Sequence, residues 1–200
     1  MTSGYASKWI LLALVSSGLM MLGCGDDDSG GSGQHVKVFV TTSQYDGNFG
    51  GAGNANAACN NLADAAGLSV SRWTAWLSDD NFAAIDKIFR ATVPYRLVDE
   101  AQTKIADDIV DLTNGSLDAP INVDETGATV TTELQVWTAT DADGTNAGVG
   151  SCVNWTSDSN TERAQVGLAN STTATWSDSG VQPECDTLHR LYCFADAVSN

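Results

Sequence analysis

Basic residues are scarce in this chain. Nine lysines and arginines stand against 25 aspartates and glutamates in 200 residues, a formal charge of −16. The nine are scattered, so the sequence builds no basic patch. That argues against nucleic acid, anionic lipid and polyanionic sugars as partners, and favours solubility, hard cations or basic partners. Histidine is scarcer still, with only His35 and His189. There is no H-E-x-x-H, no G-x-S-x-G and no evident Ser-His-Asp set, which removes the commonest hydrolase signatures. A long hydrophobic run is also missing. The longest, from Trp9 to Leu22, covers 14 residues, and at about 1.5 Å per residue it is short for a membrane span.

What that run does resemble is a secretory signal. Lys8 gives it a positive start, and Met21-Leu22-Gly23-Cys24 ends it. Leu-Gly-Cys is similar to a bacterial lipobox, which implies a signal peptide over residues 1–23, cleavage before Cys24, and a lipid on the Cys24 thiol. Cleavage would remove Lys8 and no acid, leaving 8 bases against 25 acids, a formal charge of −17. Residues 25–34, GDDDSGGSGQ, carry no apolar side chain and read as a flexible tether. Residues 35–200 are then one domain, long enough for a sizeable core.

Five cysteines make an odd number. With Cys24 lipidated, Cys59, Cys152, Cys185 and Cys193 remain, and in an exported domain these read as two disulfides with three possible connectivities. A zinc site is the alternative, but the spacings are not those of a knuckle.

The apolar pattern predicts an α+β domain. Val36–Thr42 is β-branched and aromatic, hence a strand. Ala55, Ala58, Cys59, Leu62 and Ala65 recur at helical spacing, with Asn54 as the expected N-cap and Gly67 as the stop. Trp73–Leu77 reads as a core strand. Asp79 or Asp80 is expected to cap a second helix carrying Phe82, Ile85 and Phe89 on one face. Strands are predicted at Tyr95–Val98, Gln135–Thr140, Ala164–Leu168 and Leu188–Ala195, and a short helical turn over Ala106–Leu112. Residues 114–150, rich in Gly, Asp, Asn and Thr, are read as a long loop region, the kind of segment that carries function.

The ordered pieces VFVTTSQYDGNFGG, the Cys59 helix, AAGLSVSRWTAWLSD, VWTATDADG, CVNW and a final strand with C-x7-C are together similar to the endostatin domain of collagens. They resemble still more a family of bacterial lipoproteins with an uncharacterised domain of that kind. The resemblance covers most of residues 36–196. It implies a C-type lectin-like fold, with a twisted mixed or antiparallel sheet, two helices and a long loop region. It also implies nested disulfides, Cys59 with Cys193 and Cys152 with Cys185. Of the zinc-binding histidines near the amino terminus of endostatin, only His35 stands near that region here, and its heparin-binding arginine cluster has no counterpart.

C-type lectins bind sugar through calcium. Trp176-Ser177-Asp178 lies where the family has Trp-Asn-Asp, and Gln182-Pro183-Glu184 resembles the proline triplet but abuts a different cysteine. Asp141, Asp143 and Asn146, with Asp178, are therefore the candidate calcium ligands, since calcium takes several oxygens from neighbouring loops. The plainer reading of the same residues is a turn, because the D-x-D-x-D-G pattern is incomplete. Asp124-Glu125 is a second acidic loop. Trp176, in polar surroundings, is the candidate stacking surface, and Trp73, Trp76, Trp137 and Trp155 are assigned to the core. Asn114, Asn154 and Asn170 match the glycosylation pattern, which the lipobox makes a chance match. The expectation is an exported, lipid-anchored, non-catalytic binding module for a carbohydrate or protein ligand. The alternatives are a strictly calcium-dependent lectin and a hydrolase using paired loop carboxylates.

Overall fold

A computed structural model describes residues 1–2, 4, 33–68, 70 and 72–200. Cys24, the signal and most of the tether lie outside the described residues. The described chain is α+β, with two sheets and short helices.

Five strands form the main sheet, in the order β2 (Trp73–Ala75), β7 (Tyr192–Ser199), β1 (His35–Val40), β3 (Tyr95–Leu97) and β4 (Lys104–Ala106). β1 pairs parallel with β3, and the remaining neighbours are antiparallel. β1 and β7 are covered on both faces, which is why each carries an apolar run rather than strict alternation: Val36, Val38, Phe39, Val40, Cys193 and Phe194 are all fully buried. A second, two-stranded sheet pairs β5 (Gln135–Trp137) with β6 (Val166–Leu168).

The helix α1 (Ala52–Ala65) lies against the five-stranded sheet through Ala55, Cys59 and Ala63, a buried row at i, i+4, i+8 whose small side chains allow close approach. It also closes the sheet edge. Asn60 accepts from the Trp73 amide at 2.9 Å and donates to the Trp73 carbonyl at 3.0 Å, and Asn56 accepts from the Ala75 amide at 2.9 Å. Two side chains thus satisfy edge groups of β2 that would otherwise be open to another strand. The stop at Gly67 is as the sequence predicts. Gly67 takes φ +71°, its amide bonds to Asp64 O and the Leu68 amide to Ala63 O, the double bond of a left-handed glycine cap. The start differs. The helix begins at Ala52 with Gly51 as its cap, and the Asn54 side chain instead donates from Nδ2 back to Phe49 O and Gly50 O, holding the preceding loop.

The second helix is also shorter than the pattern implies. α2 spans only Ala84–Lys87. Phe82 and Phe89 are exposed, so the expected apolar face does not exist. Asp79 does bond the Asn81 and Phe82 amides, at 2.9 and 3.0 Å, but as a turn ahead of the helix rather than as its cap. Ala106–Leu112 divides into the end of β4 and α3 (Ile109–Leu112), capped by the Asp108 side chain. The final strand is shifted by four residues from the expected Leu188–Ala195, starting at Tyr192 and ending at Ser199.

The structure joins Cys59 to Cys193 and Cys152 to Cys185, the nested pairing that the resemblance implies. The first fastens α1 to the central strand β7. The second ties two loops. With all four cysteines so committed, none is left for the alternative zinc site. The buried Arg190 guanidinium gathers the loop region onto the end of β1, donating to the carbonyls of Thr41, Thr42, Glu133 and Thr132.

Candidate functional site

The loops around Cys152–Cys185 form one face, and its centre is a conformation that the residue types do not announce. Cys152, Val153, Asn154 and Trp155 have φ of +49°, +54°, +56° and +63°. They close a single turn of left-handed helix, with the Trp155 amide on Ser151 O at 2.7 Å and the Thr156 amide on Cys152 O at 3.0 Å. Each L-residue in this conformation brings its Cβ against the following carbonyl, at about 1–2 kcal/mol apiece. None of the four is glycine, and Val153 is β-branched, the least tolerant type.

Three anchors hold the turn. Cys152 is bonded to Cys185. The Trp155 ring is fully buried, packs on Phe49 and Trp137, and donates from Nε1 to Ser78 O at 2.8 Å. The Asn154 carboxamide accepts from the Asp80 amide and donates to Asp80 Oδ2, both at 2.8 Å. Val153, between them, is exposed. Nothing in the residue types of this segment signals the turn. Asn154 is the one member that tolerates left-handed geometry, and its appearance in a glycosylation-type tripeptide says nothing about conformation.

Asp79 and Asp80 extend the face. Asn146 donates from Nδ2 to Asp79 O at 2.8 Å, binding the 141–148 loop to this edge. The Asp79 carboxylate pairs with the Lys87 ammonium, both largely buried. Burial alone would raise the Asp79 carboxyl, but Lys87 and the Asn81 and Phe82 amides more than offset it and hold it below the usual carboxylate range. A carboxyl depressed by folding stabilises above its unfolded pKa, near 3.9, and the contribution is lost as pH falls through the lower folded value. Lys87→Met is therefore expected to cost about 3 kcal/mol at pH 7. Urea unfolding should show the difference from wild type shrinking as pH is lowered below about 4, and an equal gap at pH 7 and pH 2.5 would refute the assignment.

The candidate calcium ligands reach this side of the molecule but do not assemble. Asp143 Oδ1 accepts from the Thr145 amide at 2.9 Å and hydroxyl at 2.6 Å, which lowers its carboxyl. Asn146 Oδ1 accepts from the Gly148 amide, and Asp178 Oδ1 from the Gly180 amide. Asp141 is raised, first by burial and then by the charges of Asp178 and Asp143. Even so, among the described residues no three His, Cys, Asp or Glu side chains form a group that could hold a metal ion. Asp143, Asn146 and Asp178 each spend one side-chain oxygen on a local turn. The second acidic loop is structural as well. Asp124 bonds the Thr126 and Ala128 amides, and Glu125, buried, clasps the amide and hydroxyl of Thr42.

Trp176 is not a stacking platform. It is fully buried on a short 3-10 turn, with its ring 5.1 Å from that of Trp76 and 5.6 Å from that of Tyr192. A ring with no exposed face has nothing to offer a sugar. Trp73, Trp76, Trp137 and Trp155 are buried too, as assigned. His189 lies edge-on to Trp137 and burial pushes its imidazole down to about 4, so it is neutral at physiological pH. On another part of the surface a shallow pocket of about 350 Å³ is lined by Arg72, Lys87, Ile88, Phe89 and Asp196. Its cations are matched by Asp196 and Asp79.

Compared with known proteins, the chain matches no family model and no curated protein sequence.

Proposed function

We propose that this chain is an exported surface protein, anchored by a lipid on Cys24, whose folded part is a non-catalytic binding module of C-type lectin-like, endostatin-like type. Its recognition surface is the loop face built on the left-handed turn. The observation that carries the reading is that turn. Four consecutive residues in a disfavoured conformation persist only where the surroundings over-determine them, and such places cluster at binding and switch regions. Here a disulfide, a buried indole and an asparagine–aspartate pair are all directed to keeping one short loop in one shape, with Val153 and the Asp80–Asn154 pair at the surface. Loop rigidity of this kind lowers the ordering cost of binding. The acidic balance of the chain favours a neutral or basic ligand, and the glycine- and serine-rich tether would hold the face away from the membrane.

The test is a paired screen of the purified mature chain on a glycan array and a panel of basic and neutral surface proteins, in calcium and in chelator. Binding that survives chelator and is lost in Asn154→Ala supports the reading. Binding that requires calcium moves the assignment to a calcium-dependent lectin. Binding unaffected by Asn154→Ala removes the loop face from the proposal. Mass spectrometry of the mature amino terminus tests the anchor separately: an unacylated chain starting elsewhere than Cys24 overturns it.

A further inference from the structure

We infer that Cys152–Cys185 is a reducible latch on the loop face, opened by a dithiol reductant while Cys59–Cys193 stays closed. The two bonds differ in what must move to expose them. Cys193 lies in β7, between β1 and β2 in the main sheet, and Cys59 is on the buried row of α1. Reaching that bond means parting helix from sheet. Cys152 and Cys185 lie outside the main sheet, and the segment over them is a loop. Gly47 sits directly on the bond, so close that an added Cβ would be 2.4 Å from Cys152 Sγ. It is tied there by its amide to Cys185 O at 2.7 Å, and the Gly51 amide bonds to Trp155 O at 2.8 Å. Lifting residues 43–51 uncovers the sulfurs and leaves the five-stranded sheet paired, the kind of subglobal opening that needs less than complete unfolding.

The bond also holds a strained element. Cys152 is the first of the four left-handed residues, so cutting the link frees the turn at one end. A thiolate of the reductant attacks one cystine sulfur and forms a mixed disulfide, expelling the other cysteine as a thiolate. The second thiolate of the reductant then attacks the reductant sulfur of the mixed disulfide and expels the remaining protein cysteine as a thiolate. Two electrons pass to the protein, which is left with two cysteine thiols after protonation by water, and the reductant becomes its own disulfide. The freed turn relaxes out of the left-handed region, and Asn154 releases Asp80. That this abolishes ligand binding rests on the loop face being the binding surface. The latch itself does not, and its test needs no ligand.

The folded, oxidised chain is titrated with dithiothreitol at neutral pH, quenched by alkylation and mapped. Cys152 and Cys185 should be alkylated together while Cys59–Cys193 remains intact. Amide exchange of the half-reduced protein should accelerate at Trp155 and Thr156. Val153→Gly removes the Cβ that strains the turn at an exposed site, so it should make Cys152–Cys185 about fivefold harder to reduce at equilibrium, the entropy of glycine offsetting part of a larger gain. Reduction of Cys59–Cys193 first or simultaneously, unchanged exchange at Trp155 and Thr156, or an unmoved midpoint in Val153→Gly would each overturn the inference.

Discussion

Gly167→Ala is expected to prevent folding, or to cost more than about 4 kcal/mol, at a position where nothing but space is at issue. Gly167 is in β6, opposite Val136. A Cβ built there would lie 1.9 Å from Trp176 O and 2.7 Å from the carbonyl carbon, far inside any real contact. Flexible side chains swing away from such an overlap, but a backbone carbonyl does not. This one is held further, because it accepts the buried Tyr192 hydroxyl at 3.0 Å and its residue carries a fully buried indole. Retreat would break that bond and shift Trp176 against Trp76. Typical domains have about 5–15 kcal/mol in reserve, so one such clash consumes much of it. Gly148→Ala is the control. It has φ +66° with open space around it, so it should cost only the conformational penalty of about 1–2 kcal/mol. Urea unfolding of the two variants separates steric exclusion from backbone strain, and a Gly167→Ala protein within 1 kcal/mol of wild type would contradict the packing described here.

What could be read from the residues, and what could not, follows from the range of the forces involved. The body of α1 was readable because small apolar residues at helical spacing and a glycine stop are local signals with a single structural solution. Its first turn was not, since Asn54 is a good cap by type but its side-chain Nδ2 is drawn to the Phe49 and Gly50 carbonyls. The helix expected on Phe82, Ile85 and Phe89 failed for a tertiary reason. Asp79 holds the Asn81 and Phe82 amides, Ser78 Oγ accepts from the Ala84 amide at 3.0 Å, and Lys87 donates to Leu77 O. Those bonds fix a turn and one short helical segment that an apolar spacing cannot outweigh. Trp176 was misjudged because polar sequence neighbours say little about burial where a ring crosses to a distant sheet. Asp143 and Asp178 were readable as turn formers, and that is the use to which one oxygen of each is put. The left-handed turn was not readable at all. Its residues favour other conformations, and only contacts made after the chain has folded hold it.

That last point sets an unequal expectation for the two disulfides. In the chain-entropy account, stabilisation grows with loop length. Cys59–Cys193 spans 134 residues and Cys152–Cys185 spans 33, which correspond to about 5 and about 4 kcal/mol at 25 °C. Loop length alone therefore predicts nearly equal losses. The surroundings do not. Cys59→Ala/Cys193→Ala removes the fastening between α1 and the central strand and leaves two small voids in fully buried packing, so the whole of about 4–5 kcal/mol should be lost. Cys152→Ala/Cys185→Ala removes a comparable constraint, but it also lets Cys152 through Trp155 leave the left-handed region. Relief of even one or two residues returns about 1–4 kcal/mol, so the net loss should be at most about 3 kcal/mol. Denaturant unfolding of both double variants, each with its remaining disulfide intact, measures the difference directly. Equal losses would mean that the turn keeps its shape without the bond, and that Trp155 and the Asp80–Asn154 pair are sufficient to hold it. A smaller loss for the Cys152–Cys185 pair would mean that this bond spends part of its stabilisation on holding a loop in a shape the chain would otherwise leave.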